Sequence, residues 1–244
     1  MKKFGLIGKK LSHSFSQAYF SKKFKELNLT EYYYDLYELP SISLIEEVFE
    51  DESLIGLNVT VPYKQEVIPY LDNLDQSAQR IGAVNVIKVN EDGSKKGYNS
   101  DYYGFKQSLT NWLPENYKIK ALILGSGGAS KAVKVALEDL DIEHKIVSRS
   151  PQGNEITYSE LNQAFSQYQL VINTSPLGMS PDIHSSPDIP YELLNSNYYL
   201  YDLVYNPETT EFLKKGLDRG AHIKNGLEML HLQAEESWSI WNSN

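Results

Sequence analysis

The chain has 244 residues, of which 41% are hydrophobic and 23% are charged, a composition typical of soluble globular proteins. It contains no cysteine, which excludes disulfides, thiolate metal sites and cysteine nucleophiles. The net charge of -9 and the lack of a dense run of Lys and Arg argue against nucleic-acid binding. Because no apolar run reaches membrane-helix length and the N-terminus enters a strand-like segment directly, we expect a cytoplasmic protein that binds no membrane.

Strand-like apolar runs alternate with helical segments along the chain, which is typical of α/β proteins with mostly parallel sheets. The predicted strands are Phe4–Gly8, Tyr32–Leu36, Gly56–Val59, Val84–Val89, Lys120–Leu124, His144–Val147, Leu170–Thr174, Tyr199–Val204 and His222–Lys224. Turn chemistry at Glu91–Ser94 indicates an antiparallel hairpin. The pattern breaks around Leu109–Lys118, which suggests a domain boundary near there. Apolar residues from Leu227 to Trp241 recur at spacings that predict a final amphipathic helix.

A glycine-rich turn follows the buried-type strand Ala121–Leu124. It consists of Gly125, Ser126, Gly127, Gly128 and Ala129, and a helical run comes after it. Glycines permit a tight turn and let backbone N–H groups approach a pyrophosphate at the positive end of a helix. The strand–turn–helix context favours dinucleotide binding over a purely structural turn.

The next strand, ending at Val147, is followed by Ser148, Arg149 and Ser150. An NAD-binding protein would usually carry Asp or Glu there to accept a hydrogen bond from the ribose 2′-hydroxyl. A guanidinium can instead bind a 2′-phosphate, so the sequence favours NADP. The alternative is that Arg149 is an ordinary solvated loop residue.

Two further charged residues stand at strand ends. Lys64 closes the segment Asn58–Lys64, and Asp101 lies in the segment Gly97–Gly104, which ends a strand and begins a helix. On local sequence alone, Lys64 is interpreted as a solvated surface lysine and Asp101 as a helix N-cap. Their shared position at strand ends, where α/β proteins gather ligands, makes a meeting of the two plausible.

Several segments, in the expected order, resemble signature segments of the shikimate dehydrogenase family. They are Leu11-Ser12-His13-Ser14-Phe15-Ser16, Asn58–Lys64, Gly82-Ala83-Val84-Asn85, Gly97–Asp101, Ile172–Met179, Asp202–Pro207 and Asn225–Leu230 with Gln233-Ala234. The resemblance covers nearly the whole chain. It departs from the family pattern at Ser100, which replaces Thr, and at Gln17, which replaces Pro and is expected to loosen the N-terminal loop.

The resemblance implies an α/β fold with two domains and a cleft between them. Residues 1–103 with 226–244 would form a substrate domain with a mixed, mostly parallel sheet, and residues 104–225 a Rossmann-type NADP-binding domain. It also implies reversible reduction of 3-dehydroshikimate to shikimate by NADPH, a step of aromatic amino acid (chorismate) biosynthesis. Lys64 would then handle the proton, with Asp101 as its partner.

The resemblance assigns the remaining site residues too. The implied substrate-binding residues are Ser14, Ser16, Thr60, Lys64, Asn85, Asp101, Tyr205 and Gln233. The implied cofactor-binding residues are Gly125, Ser126, Gly127, Gly128, Ala129, Ser148, Arg149, Ser150, Thr174, Val204, Gly226 and Met229. In the family pattern the serines contact the substrate carboxylate, so His13 is interpreted as a structural loop residue. No metal is expected, since the sequence has no compact cluster of His and carboxylates.

Two alternatives stay open at this level. One is a quinate/shikimate dehydrogenase of the same fold that uses NAD, and the other is a shikimate-binding homologue without turnover. The many tyrosines fit a monomer as well as a homodimer.

Overall fold

The computed structural model describes residues 1–11 and 14–243. Their contacts divide them into two compact units, one of residues 1–100 with 233–243 and one of residues 101–232. The strands are β1 Lys2–Gly8, β2 Tyr32–Glu38, β3 Leu54–Val59, β4 Asn73–Leu74, β5 Val86–Val89, β6 Lys95–Tyr98, β7 Ala121–Leu124, β8 His144–Val147, β9 Leu170–Asn173, β10 Tyr199–Asp202 and β11 His222–Lys224. The α-helices are α1 Phe15–Glu26, α2 Ile45–Phe49, α3 Gln76–Ile81, α4 Ser100–Trp112, α5 Gly128–Asp139, α6 Tyr158–Ala164, α7 Glu211–Leu217 and α8 Leu227–Asn242.

The first unit is built on a six-stranded sheet with the order β2-β1-β3-β5-β6-β4. β1 pairs in parallel with β2 and β3, whereas β5 is antiparallel to β3 and to β6. The hairpin expected at Glu91–Ser94 is the β5–β6 connection, in which Gly93 adopts a left-handed φ of 82° that glycine tolerates without steric cost.

Side chains alternate across this sheet and supply two cores. Ile7, Leu57 and Ile87 pack on one face with residues of α2 and α3. Phe4 and Val86 pack on the other with aromatic residues of α1 and α8. On that second face a Cβ at Gly56 would lie 2.3 Å from the Trp241 indole, so only glycine lets α8 pack this closely.

The second unit contains a five-stranded, wholly parallel sheet with the order β11-β10-β9-β7-β8. Alternation again produces two cores. Leu122 and Val171 pack with residues of α6 and α7, and Ile123 and Ile172 pack with residues of α4 and α5. Helices therefore cover both faces, as in doubly wound α/β folds, where ligands bind at the carboxyl ends of the strands.

None of the helices that the structure describes is both long and apolar enough to cross a membrane.

Candidate active site

In the second unit, polar side chains and glycines gather at the carboxyl edge of the parallel sheet. Leu124, Val147 and Asn173 end β7, β8 and β9 and lie opposite one another in register. The loops that follow these three strands therefore leave the sheet side by side. They surround a cavity of about 730 Å³, a volume within the usual range of ligand pockets.

The glycine turn forms one wall of this cavity. Gly125 has a φ of 111°, in the left-handed region that favours glycine. α5 begins at Gly128, and its N-cap Gly127 supplies no side-chain hydrogen bond. A Cβ at Gly127 or Gly128 would meet no atom within 4 Å. The N-terminal N–H groups of α5 are thus uncovered by side chains, which suits a pyrophosphate.

The residues after β8 form the adjoining wall. Ser148 Oγ lies 3.0 Å from Ser126 Oγ and accepts a hydrogen bond from the Ser150 amide at 3.2 Å. These contacts hold the loop in a compact turn. Exposed Arg149 lines the cavity from this loop, and neither of its neighbours is acidic. A guanidinium flanked by two serines offers donors to a phosphate, and neither of the two flanking residues carries a carboxylate.

Tyr158, Ser186 and Asp188 also line the cavity, although no motif points to them. Burial is the main cause that raises the pKa of Tyr158. The positive charge of Arg149 opposes the rise, and the negative charge of Asp188 adds to it. The Arg149 and Asp188 side chains therefore both lie close enough to half-buried Tyr158 to affect its pKa, at the Arg149 end of the cavity.

Seven of the predicted cofactor residues line this cavity. They are Gly125, Ser126, Gly127, Ser148, Arg149, Ser150 and Thr174. Five do not, namely Gly128, Ala129, Val204, Gly226 and Met229. The Met229 side chain packs in the core with Phe105 and Tyr201. Gly226 donates a backbone hydrogen bond to Val204 O at 3.2 Å, so these two residues are held together.

A buried carboxylate organises the loops after β9 and β10. Asp202 is fully buried and accepts hydrogen bonds from Thr210 Oγ1 at 2.6 Å, Val204 N at 3.0 Å and Asn173 Nδ2 at 3.0 Å. Asn173 Oδ1 accepts from the amide and hydroxyl of Ser175. Burial raises the pKa of Asp202 to about 6, and the three hydrogen bonds act against that rise.

In the first unit, the strand register brings the predicted substrate segments to one edge. Ile7 pairs with Val59, so the loops after β1 and β3 start together. Asn58 pairs with Val86, and Val86 with Tyr98. The start of β5 and the end of β6 therefore lie at the carboxyl end of β3. Ser14, Ser16, Thr60, Lys64 and Asn85 all lie in or next to these segments.

Gln17 stabilises the N-terminal loop segment rather than loosening it. Its backbone N–H donates to Ser14 Oγ at 3.2 Å, and its side chain donates to Tyr34 O at 3.4 Å. A proline has no N–H with which to make the first bond. Since Ser14 Oγ acts as acceptor toward Gln17, its hydroxyl proton stays available for an anionic ligand. His13, interpreted above as a structural loop residue, lies outside the described residues.

Asn85 and Ser100 form a buried pair. The Asn85 side chain accepts from Ser100 N at 2.7 Å and donates to Ser100 Oγ at 3.0 Å. Ser100 Oγ lies a further 3.4 Å from Gln233 Oε1. Only one amide hydrogen of Asn85 is used in this way, so the second can serve a ligand. The Ser100 hydroxyl fills the place of the threonine in the family pattern.

The other predicted residues lie on both units. Thr60 and Lys64 are half-buried in the first unit, and Lys64 O accepts a hydrogen bond from Val84 N at 2.7 Å. Asp101 and Tyr205 belong to the second unit. α4 begins at Ser100, so Asp101 lies inside its first turn and is not the N-cap that local sequence favours. A carboxylate there complements the helix dipole.

Among residues 1–11 and 14–243, no group of three His, Asp or Glu side chains is placed to hold a metal ion.

The parallel sheet, glycine turn and cavity define the second unit as a dinucleotide-binding unit, and the first unit carries the polar sheet edge. The model of the shikimate dehydrogenase substrate binding domain matches residues 6–87. The NADP(+) shikimate dehydrogenase of Clostridium beijerinckii is 39% identical over 99% of this chain and 92% of its own. The chain belongs to the shikimate dehydrogenase family.

Solved structures agree with this assignment. The Thermus thermophilus shikimate 5-dehydrogenase, in complex with NADP(H) and shikimate, is 31% identical with a TM-score of 0.87, covering 99% of this chain and 94% of that one. The Listeria monocytogenes shikimate 5-dehydrogenase, in complex with shikimate and NAD, is 26% identical with a TM-score of 0.86, covering 98% and 91%.

Proposed function

We propose that the protein is an NADP-dependent shikimate dehydrogenase that reversibly reduces 3-dehydroshikimate to shikimate, in aromatic amino acid (chorismate) biosynthesis. One observation carries the proposal. The chain joins a dinucleotide-type cavity that ends at Arg149 with a separate unit whose family substrate segments share one sheet edge. Residues 1–103 with 226–244 are the proposed substrate domain, and residues 104–225 the proposed cofactor domain.

The chemistry assigned to the chain centres on one proton. When bound, the nicotinamide supplies or accepts the hydride at the substrate carbon. Negative charge then develops on the carbonyl oxygen, where the Lys64 ammonium stabilises it and delivers a proton from Nζ. In the oxidative direction Lys64 Nζ accepts the proton from the substrate hydroxyl. Asp101 orients Nζ and accepts a hydrogen bond from a substrate hydroxyl.

The remaining polar residues bind the ring. Ser14 and Ser16 donate hydrogen bonds to the substrate carboxylate. Its hydroxyl groups form hydrogen bonds with Thr60, Asn85, Gln233 and Tyr205. The free proton of Ser14 and the second amide hydrogen of Asn85 support these assignments.

The cofactor assignment rests on the Ser148-Arg149-Ser150 wall. Arg149 would bind the 2′-phosphate, and the glycine turn with α5 would bind the pyrophosphate. The other cofactor residues carried over from the family are Ala129, Thr174, Val204, Gly226 and Met229. Because a charge-assisted hydrogen bond contributes roughly 1.5–3 kcal/mol, NADP should be preferred over NAD by about tenfold or more.

Assaying shikimate and quinate, each with NADP and with NAD, tests the proposal. We expect the highest kcat/KM with shikimate and NADP. A preference for quinate and NAD would favour the quinate/shikimate dehydrogenase alternative. Tight binding of shikimate without turnover under any of the four conditions would favour a silent homologue. We further propose a cytoplasmic monomer or homodimer whose ligands are these small molecules.

A further inference from the structure

A continuous buried hydrogen-bond network runs beneath the polar edge of the first unit. It centres on Asn58, a residue of β3 with 5% of its surface exposed. Its side-chain oxygen accepts from the Tyr34 hydroxyl at 2.7 Å. Its side-chain nitrogen donates to Ser237 Oγ at 3.0 Å and to Asn85 O at 3.4 Å. The amide is therefore fully used by protein partners, and its role is to connect elements.

Ser237 extends the network along α8. Its hydroxyl is fully buried, donates to Gln233 O at 2.8 Å and lies 3.3 Å from Ser100 Oγ. Ser100 is the residue that holds both ends of the Asn85 amide. Two proposed substrate ligands, Asn85 and Gln233, are thus tied through Ser237 and Ser100 to the same central amide.

Tyr34 closes the network on the opposite side. Its ring stacks on Phe20 at 4.9 Å between centroids, which fixes the direction of the hydroxyl. Burial raises the pKa of Tyr34, and a hydrogen bond with the Ser16 side chain opposes the rise. The phenol therefore stays protonated and remains a donor to Asn58.

We propose that Tyr34 and Ser237 are positioning residues for the substrate, which act through Asn58 to hold Asn85 and Gln233 in their binding orientation. The inference rests on the proposed function and assigns neither residue a contact with substrate. It has a physical reason: a buried amide that loses one partner keeps its desolvation cost and must turn to find another. Asn58 would turn away from Asn85 O and Ser237 together.

A double-mutant cycle tests the inference. Tyr34→Phe and Ser237→Ala each remove one hydroxyl and little volume. We expect each to raise the KM for shikimate about tenfold, with kcat and the KM for NADP within about twofold of wild type. Because both act through one amide, the double variant should be little worse than either single variant.

A matched control is available in the second unit. Tyr201 is a buried tyrosine whose hydroxyl donates to Ser108 Oγ at 2.9 Å. Tyr201→Phe should cost similar thermal stability without changing the KM for shikimate. Thermal unfolding of each variant establishes that the protein is folded at the assay temperature, and shikimate binding measured by calorimetry on the whole protein gives a second readout if turnover is weak.

The outcomes separate the two proposals. If the wild-type protein does not oxidise shikimate, the proposed function fails. If wild type is active but both variants keep its KM for shikimate, the positioning role is overturned. Equal rises in the KM for shikimate and for NADP, or strictly additive effects in the double variant, would also overturn it, because a general loss of stability or two independent defects would then explain the data.

Discussion

The Asp202 carboxylate should make the stability of the protein depend on pH in a defined direction. Its folded-state pKa of about 6 lies above the ordinary value of 3.8. The folded protein therefore binds this proton more tightly than the unfolded chain does, and the resulting stabilisation is present below about pH 4. It is lost as the pH rises through 6. The difference of about two pKa units corresponds to about 3 kcal/mol.

Replacing Asp202 with Asn removes this titration while retaining an oxygen for Val204 N and Asn173 Nδ2. Urea unfolding of wild type and Asp202→Asn, followed by circular dichroism between pH 4 and 7, measures the effect. The free energy of unfolding of wild type should fall relative to the variant by about 2 kcal/mol across this range, since part of the full effect lies below pH 4. Exposed Asp182→Asn is the control and should track wild type. A difference between Asp202→Asn and wild type that is constant with pH would refute the reasoning.

Two further predictions concern the second unit. Arg149→Ala should raise the KM for NADP about tenfold or more and leave the KM for NAD within about twofold, because only the 2′-phosphate loses its partner. Steady-state kinetics with each cofactor measures both constants, and equal changes for the two cofactors would contradict the assignment. Gly226→Ala would place a Cβ 2.1 Å from Leu203 O. Neither this Cβ nor the Leu203 oxygen can move without the backbone, so the variant should lose about 1–3 kcal/mol of stability. The loss would be visible as a lower melting temperature, and an unchanged melting temperature would show that the backbone can shift freely.

Much of the fold could be predicted because β7 and β9 of the second unit are apolar runs that alternate with helical segments. β8 and β11 have the bounds that the sequence predicts, and the final helix begins at Leu227 as expected. The short strand Asn73–Leu74 was missed. Two residues are too few to show alternation, and this strand exists because it pairs with β6.

The candidate site could be predicted where a local motif carries the chemistry. The glycine turn and Arg149 are such cases, since each directly follows a strand. Tyr158, Ser186 and Asp188 could not be found, because they reach the cavity through the packing of α6 and the loop after β9. The effect of Gln17 was also misjudged. Its stabilising bonds depend on Ser14 and on the distant strand residue Tyr34.

In the proposed reaction, Lys64 Nζ accepts the proton from the substrate hydroxyl during shikimate oxidation. Steady-state oxidation of shikimate by NADP, compared between wild type and Lys64→Ala, tests it most directly, with the exposed Lys22→Ala as the control. We expect Lys64→Ala to lower kcat by about 10²–10⁴-fold, the usual contribution of a general acid–base group, while Lys22→Ala keeps wild-type turnover. A kcat for Lys64→Ala within about twofold of wild type would contradict the account.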